Sequence, residues 1–203
     1  MPSLSVNGKQ ISYLIEGEGF PLILVPDAEG TIRDWAPALP LLGELCRVIA
    51  YEYAQRLPAA TVPSLSDGLV DDLVILLNAL AIERAYVAGY ASGGDVALRL
   101  AFQEPNRLEG LLLISPGDEA SQRSSLASLS VPILIVVGEE ASEHLEGASW
   151  LAAQLPHCSS TILQGARVAL HREQPLPLGH AMLAFLIQCE RQRTLVRGAS
   201  FLL

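Results

Sequence analysis

The stretch Ala85-Tyr86-Val87-Ala88-Gly89-Tyr90-Ala91-Ser92-Gly93-Gly94-Asp95 decides how the rest of the chain reads. Ala85–Ala88 is a short apolar run of strand type. Gly89, Gly93 and Gly94 permit a turn that brings strand and helix backbones too close together for Cβ atoms. A helix follows through Asp95–Glu104 and stops before Pro105. A strand that passes through a tight glycine turn into a helix is one half of a β-then-α unit, and the neighbouring sequence repeats that pattern.

Downstream, Leu111–Ser115 and Pro132–Val137 are apolar runs suited to strands buried on both faces. A helix is expected over Glu143–Gln154, ending before Pro156, then a strand at Thr161–Leu163 and a last helix at Leu178–Gln188. Upstream, Leu4–Val6 and Gln10–Glu16 flank Asn7-Gly8, a pair that tolerates positive φ and suits a tight hairpin turn. Pro21–Val25 and Arg47–Tyr51 read as strands. Between them Trp35, Leu39 and Leu42 recur at helical spacing, with Pro37 and Pro40 confining or breaking the helix. The clearest helix is Ser64–Leu80, with Ser66 as its expected cap and a stripe of Leu69, Leu73, Leu76, Leu77 and Leu80. These units predict an α/β fold with a mostly parallel central sheet and helices on both faces. Residues 1–189 read as one domain without internal repeat or linker. Residues 190–203 read as a C-terminal tail, where Arg191, Arg193 and Arg197 mix with Phe201-Leu202-Leu203. The polar stretch Gly117–Ser130 is the long insertion-like loop.

Composition sets the function classes. The chain has 203 residues, half of them hydrophobic and 17% charged, which fits one domain with a sizeable core and excludes disorder as the dominant state. A net charge of −9 with only 13 Lys+Arg makes a poor partner for a phosphate backbone, so no nucleic-acid binding is expected. Mean hydropathy is high at +0.35. Even so, no apolar run approaches the ~18–20 residues of a transmembrane segment. The N-terminal MPSLSVNGKQ lacks a basic region followed by an apolar one, so no secretory signal is expected. Three unpatterned cysteines (Cys46, Cys158, Cys189) point to buried thiols in a reducing, cytoplasmic setting. No nucleotide-binding glycine motif and no tight cluster of metal ligands occurs, so no cofactor and no metal is expected. Asp71-Asp72 reads as a solvated helix face.

Gly89 to Gly93 has the spacing of the nucleophile elbow, G-x-S-x-G, in its strand-to-helix context. From here the chain resembles the α/β-hydrolase superfamily over nearly its whole length. Gly19-Phe20-Pro21-Leu22-Ile23-Leu24-Val25 is similar to the strand before that family's oxyanion loop. Trp35-Ala36-Pro37-Ala38-Leu39 and Arg47-Val48-Ile49-Ala50 resemble the following helix and strand. Val131-Pro132-Ile133-Leu134-Ile135-Val136-Val137-Gly138 resembles the strand that delivers the acid. Gly165-Ala166-Arg167-Val168-Ala169-Leu170-His171-Arg172-Glu173-Gln174-Pro175 resembles the loop that delivers the histidine. In the family a helical lid commonly joins the strands resembled by Leu111–Ser115 and Pro132–Val137. Here only Pro116 to Ser130 lie between them, so no cap domain is expected and the crevice over the strand ends should be open or covered by something else.

The resemblance also places a departure at each catalytic position. Ala91 stands where the nucleophile belongs, Ala141 where the acid belongs, and Val168 where the histidine belongs. Pro26-Asp27 replaces the His-Gly pair of the oxyanion loop. Proline has no N–H to donate, and a carboxylate repels a developing oxyanion. No catalytic residue is therefore expected at these vestigial positions. A fallback site would combine Ser92, His171 and a carboxylate such as Asp27 or Glu139. The residue after an elbow nucleophile normally offers its backbone N–H while its side chain packs elsewhere, and His171 reads as a packing or capping residue. Glu139, Glu140 and Glu143 read as a solvated loop, and His144, His157 and His180 as surface or helix residues. The expectation is a non-catalytic binding or assembly module. A homo-oligomer or protein partner would sit over the open crevice. The alternatives are a receptor for a small apolar ligand lined by Asp27, Tyr90, Ala91, Ser92 and Val168, and an unconventional Ser92/His171 hydrolase.

Overall fold

The computed structural model describes residues 1–6, 8–53, 62–117 and 126–199. Among them the strands are β1 (Ser3–Val6), β2 (Lys9–Glu16), β3 (Phe20–Val25), β4 (Cys46–Tyr51), β5 (Ala85–Tyr90), β6 (Leu108–Ile114), β7 (Ile133–Gly138) and β8 (Cys158–Leu163). The helices are α1 (Leu39–Gly43), α2 (Val62–Ala79), α3 (Ser92–Gln103), α4 (Ser142–Gln154), α5 (Leu170–Glu173) and α6 (Pro175–Ala199). One sheet runs in the order β1-β2-β4-β3-β5-β6-β7-β8. The pairs β1–β2 and β2–β4 are antiparallel, and every later pair is parallel. This is the α/β-hydrolase fold.

The central strands are apolar at successive positions because helices cover both faces. Side chains alternate across the sheet. Ile23, Ile49, Val87 and Ile135 face the layer of α2, α3 and α4. Leu22, Val48, Ala88 and Leu134 face the layer of Trp35, α1 and α6. The leucine stripe of α2 does what its spacing predicts: Leu69, Leu73, Leu76 and Leu77 are buried, and Leu80 is partly buried against them.

Several local expectations change. The helix expected from Ser64 begins at Val62, which places Ser66 inside α2 instead of at its cap. The Trp35–Leu42 segment divides into a 3-10 turn at Ile32–Trp35 and the short α1, as the two prolines require. Asn7 lies outside the described residues, but Gly8 takes φ +77° and Val6 pairs with Lys9 across the hairpin. Asp72 is buried, not solvated, and forms an ion pair with Lys9 Nζ at 3.5 Å. Cys46 and Cys189 are buried, Cys158 is half-buried, and burial pushes each thiol up to about 11.

The final helix, expected over Leu178–Gln188, extends over Pro175–Ala199 and runs through the boundary read at residues 189 and 190. A charged clasp holds it to the sheet. Tyr86 Oη donates to Glu190 at 2.7 Å, and Arg193 donates to Glu190 at 2.6 Å. Arg193 also pairs with Glu109 at 2.9 Å, and Glu109 with Arg84 at 3.2 Å. Between β6 and β7 the described residues contain one 3-10 turn, Leu126–Ser128, and no cap domain; residues 118–125 lie outside the described set.

Candidate functional site

β5 ends at Tyr90 and α3 begins at Ser92, so one residue makes the turn. That residue is Ala91, at φ 47° and ψ −119°, a conformation that L side chains adopt only under constraint. Its N–H donates to the Ile114 carbonyl at 2.9 Å, and its own carbonyl accepts from Gly94 N–H at 2.9 Å. A Cβ on Gly89 would lie 2.4 Å from the Gly93 carbonyl oxygen, and a Cβ on Gly93 would lie 2.4 Å from that of Pro26. The flanking glycines are therefore required by backbone contact, as their spacing suggests. The half-exposed apex carries a methyl group.

Beside the apex, the loop after β3 folds its first carboxylate inward. Asp27 Oδ1 accepts from the Ala28 N–H at 2.8 Å. Ser92 Oγ accepts from the same N–H at 3.0 Å, and the Ser92 hydroxyl donates to Asp27 Oδ1. The sequence singles out Asp27 and Ser92 separately, and the fold joins them. Tyr53 Oη donates to the Pro26 carbonyl at 3.2 Å. Burial, with the Asp27 charge adding, holds the Tyr53 hydroxyl protonated well above its ordinary range. Tyr53 was not legible as part of this site. The signal that would find it is strand order: β4 lies beside β3 in parallel register, so the residues after Tyr51 emerge next to Pro26.

His171, in α5, is 2% exposed. Its ring centroid lies 4.1 Å from that of Tyr90 and 5.3 Å from that of Trp35. Burial lowers its pKa to about 4, assisted by Arg172 and opposed by Asp34 and Asp27. Nδ1 has no hydrogen-bond partner among the described residues. Ser92 Oγ is engaged by Asp27 and Ala28, so the fallback pair Ser92 and His171 is not assembled as a hydrogen-bonded dyad. Above the aromatic group Arg172 pairs with Asp34 at 2.8 Å, tying α5 to the 3-10 turn that carries Trp35. Burial alone would raise Asp34, but the Thr31 N–H and Arg172 outweigh it and hold the carboxyl below its ordinary value. Trp35, His171 and Tyr90 thus form one aromatic group next to the apex.

Val168 is half-buried, and its carbonyl accepts from Ser115 Oγ at 2.7 Å. Ser115 is fully buried at φ 45°, directly after β6. Ala141 is buried before α4. A Cβ on Gly138 would lie 1.9 Å from the Arg167 carbonyl oxygen, so the loops bearing Ala141 and Val168 pack backbone against backbone. Glu139 is tied to the Gly165 N–H at 3.0 Å, while Glu140 and Glu143 are exposed. His157 and His180 are exposed and His144 is half-buried. Among the described residues no group of three or more His, Cys, Asp or Glu could hold a metal ion. No helix there is long and apolar enough to cross a membrane. An apolar groove of about 750 Å³, lined by Phe20, Leu45, Ile187 and Leu195, lies at the opposite end of the strands from Ala91.

Known proteins resemble this arrangement in fold and in part of the sequence. Residues 51–124 match the Ndr family. A Caulobacter sp. (strain K31) protein named "Putative carbamate hydrolase RutD" is 34% identical over 97 residues, 46% of this chain and 36% of that one. Its counterpart in Pseudomonas syringae pv. syringae is 28% identical over 181 residues, 85% of this chain and 70% of that one. For several such relatives the chain spans less than half of their length. The enol-lactonase from Burkholderia xenovorans LB400 superposes with a TM-score of 0.78 at 18% identity, over 92% of this chain and all of that one.

Proposed function

From the premise that the chain belongs to the α/β-hydrolase superfamily, we propose that it is a non-catalytic member, a binding or assembly module on a hydrolase scaffold. The observation that carries the reading is Ala91 at the strained apex of the elbow. Nucleophilic catalysis needs a side-chain atom with a lone pair at the apex and a base to take its proton. A methyl group has no lone pair to give. The positions of acid and base are read, by resemblance, as Ala141 and Val168, and neither side chain accepts a proton. Preorganised backbone donors alone would leave only residual effects of positioning.

The names of the relatives favour a second reading, hydrolysis through a substitute site. Such a site needs Ser92 Oγ within hydrogen-bond reach of a base. The Ser92 hydroxyl donates to the Asp27 carboxylate, which brings together two members of that substitute site, but the same Ser92 Oγ also accepts from the Ala28 N–H and no histidine takes part in this hydrogen bond. The two readings separate in a turnover assay. Purified full-length protein is offered a panel of p-nitrophenyl esters of increasing acyl length, beside its Ser92→Ala variant. Release at the buffer rate in both supports the module. Turnover that disappears in Ser92→Ala establishes the substitute hydrolase.

A further inference from the structure

In an elbow, the backbone N–H of the residue after the apex and an N–H from the loop after the neighbouring strand point at the place where substrate oxygen develops charge. Here the loop donor is the Ala28 N–H, and it is already taken. Asp27 Oδ1 accepts it at 2.8 Å, Ser92 Oγ accepts it at 3.0 Å, and the Ser92 hydroxyl closes the triangle onto Asp27. The carboxylate therefore stands where an incoming carboxylate or carbonyl oxygen would have to bind. We propose that Asp27 is a built-in anionic plug of the elbow, and that it excludes carboxylates and ester carbonyls from the crevice.

The inference deepens the non-catalytic reading and rests on it. The physical reasons are two. A second anion approaching the same N–H meets like charge within a few ångströms. It must also displace the two hydrogen bonds that the Ala28 N–H already makes, one to the carboxylate of the preceding residue and one to Ser92 Oγ. The backbone around the plug is otherwise that of a working elbow: Ala91 keeps its positive φ, and Gly93 lies against the Pro26 carbonyl with no room for a Cβ. Removing one carboxylate should then uncover an anion-accepting amide without rebuilding the loop. As a plug, Asp27 sets the charge of what the crevice refuses.

The test uses the full chain labelled with ¹⁵N. Wild type, Asp27→Ala, Asp27→Gly and Ser92→Ala are titrated with sodium acetate, against sodium chloride at matched ionic strength. Amide shifts of Ala28 and Ser92 are followed. In wild type these amides should respond no more to acetate than to chloride. In Asp27→Ala and Asp27→Gly they should move saturably, with acetate affinity raised about tenfold or more over wild type. Ser92→Ala, which removes the hydroxyl that steadies Asp27, should respond to acetate more than wild type does. If neither Asp27 variant gives a dispersed spectrum, Ser92→Ala is judged by the same criterion. Folded variants that ignore acetate, or a wild type that binds it as well as they do, would overturn the plug. That failure leaves the ester assay untouched, whereas Ser92-dependent turnover by wild type ends the non-catalytic reading whatever acetate does.

Discussion

The rings of Tyr90 and His171 meet edge-on with centroids 4.1 Å apart, one residue before the apex of the elbow. The contact buries an imidazole that in water would be half protonated near neutrality. Its pKa falls to about 4 from 6.5, chiefly through burial. The unfolded chain therefore binds the proton first as pH drops, and the contribution of neutral His171 to stability is complete above 6.5 and is lost towards 4. Urea midpoints measured between about pH 7 and about pH 5 should fall, with up to about 2 kcal/mol traceable to this group. His171→Phe keeps a ring between Tyr90 and Trp35 and lacks the proton, so its midpoint should vary less over that window. An unchanged slope would remove His171 as the cause.

Ala91 and Gly93 make opposite demands on the turn. Glycine at 91 relieves the strain of φ 47°, against a smaller entropic cost in the unfolded chain. Ala91→Gly should therefore stabilise the protein by about 1 kcal/mol. Gly93→Ala drives a Cβ to 2.4 Å from the Pro26 carbonyl oxygen and 2.6 Å from that of Val25. It should cost about 3 kcal/mol or more, because both neighbours are backbone. Thermal melts of the two variants read both signs.

The clasp on α6 predicts a graded loss. Tyr86 is 1% exposed, and its hydroxyl donates to Glu190. Tyr86→Phe should cost about 1.5–3 kcal/mol, the range for a hydrogen bond to a charged acceptor. Arg193→Ala should cost at least as much, since it leaves Glu109 and Glu190 without a shared cation. Hydrogen exchange should localise the loss to the last turns of α6 near Glu190. Protection there that stays unchanged in both variants would show that the helix is held by its apolar face alone.

What could be read from sequence, and what could not, follows the range of each interaction. β3 and β7 were legible because a strand covered on both faces is apolar at every position. The elbow was legible because Gly89 meets the backbone of Gly93 and Gly94 within the same turn, whereas the Pro26 and Val25 carbonyls that also require Gly93 come from β3 and the loop after it. Asp72 looks solvated in the sequence because its partner, Lys9, sits on a different element and nothing local betrays it. The extent of α6 is hidden for a similar reason: Glu190 and Arg193 look like a polar tail until Tyr86 and Glu109 are placed beside them. Asp27 and Ser92 lie 65 residues apart, and their pairing follows only from β3 and β5 lying side by side, with Val25 opposite Gly89.

The claim on which the account turns is that no side chain at the elbow can form a bond to an acyl or phosphonyl centre. Intact-mass measurement after incubation with an excess of an alkyl fluorophosphonate tests it without assuming a substrate. The account predicts unmodified protein, with Ala91→Ser as the comparison for what an oxygen at the apex would do. A stoichiometric adduct on wild type, mapped by peptide sequencing to Ser92, would contradict it.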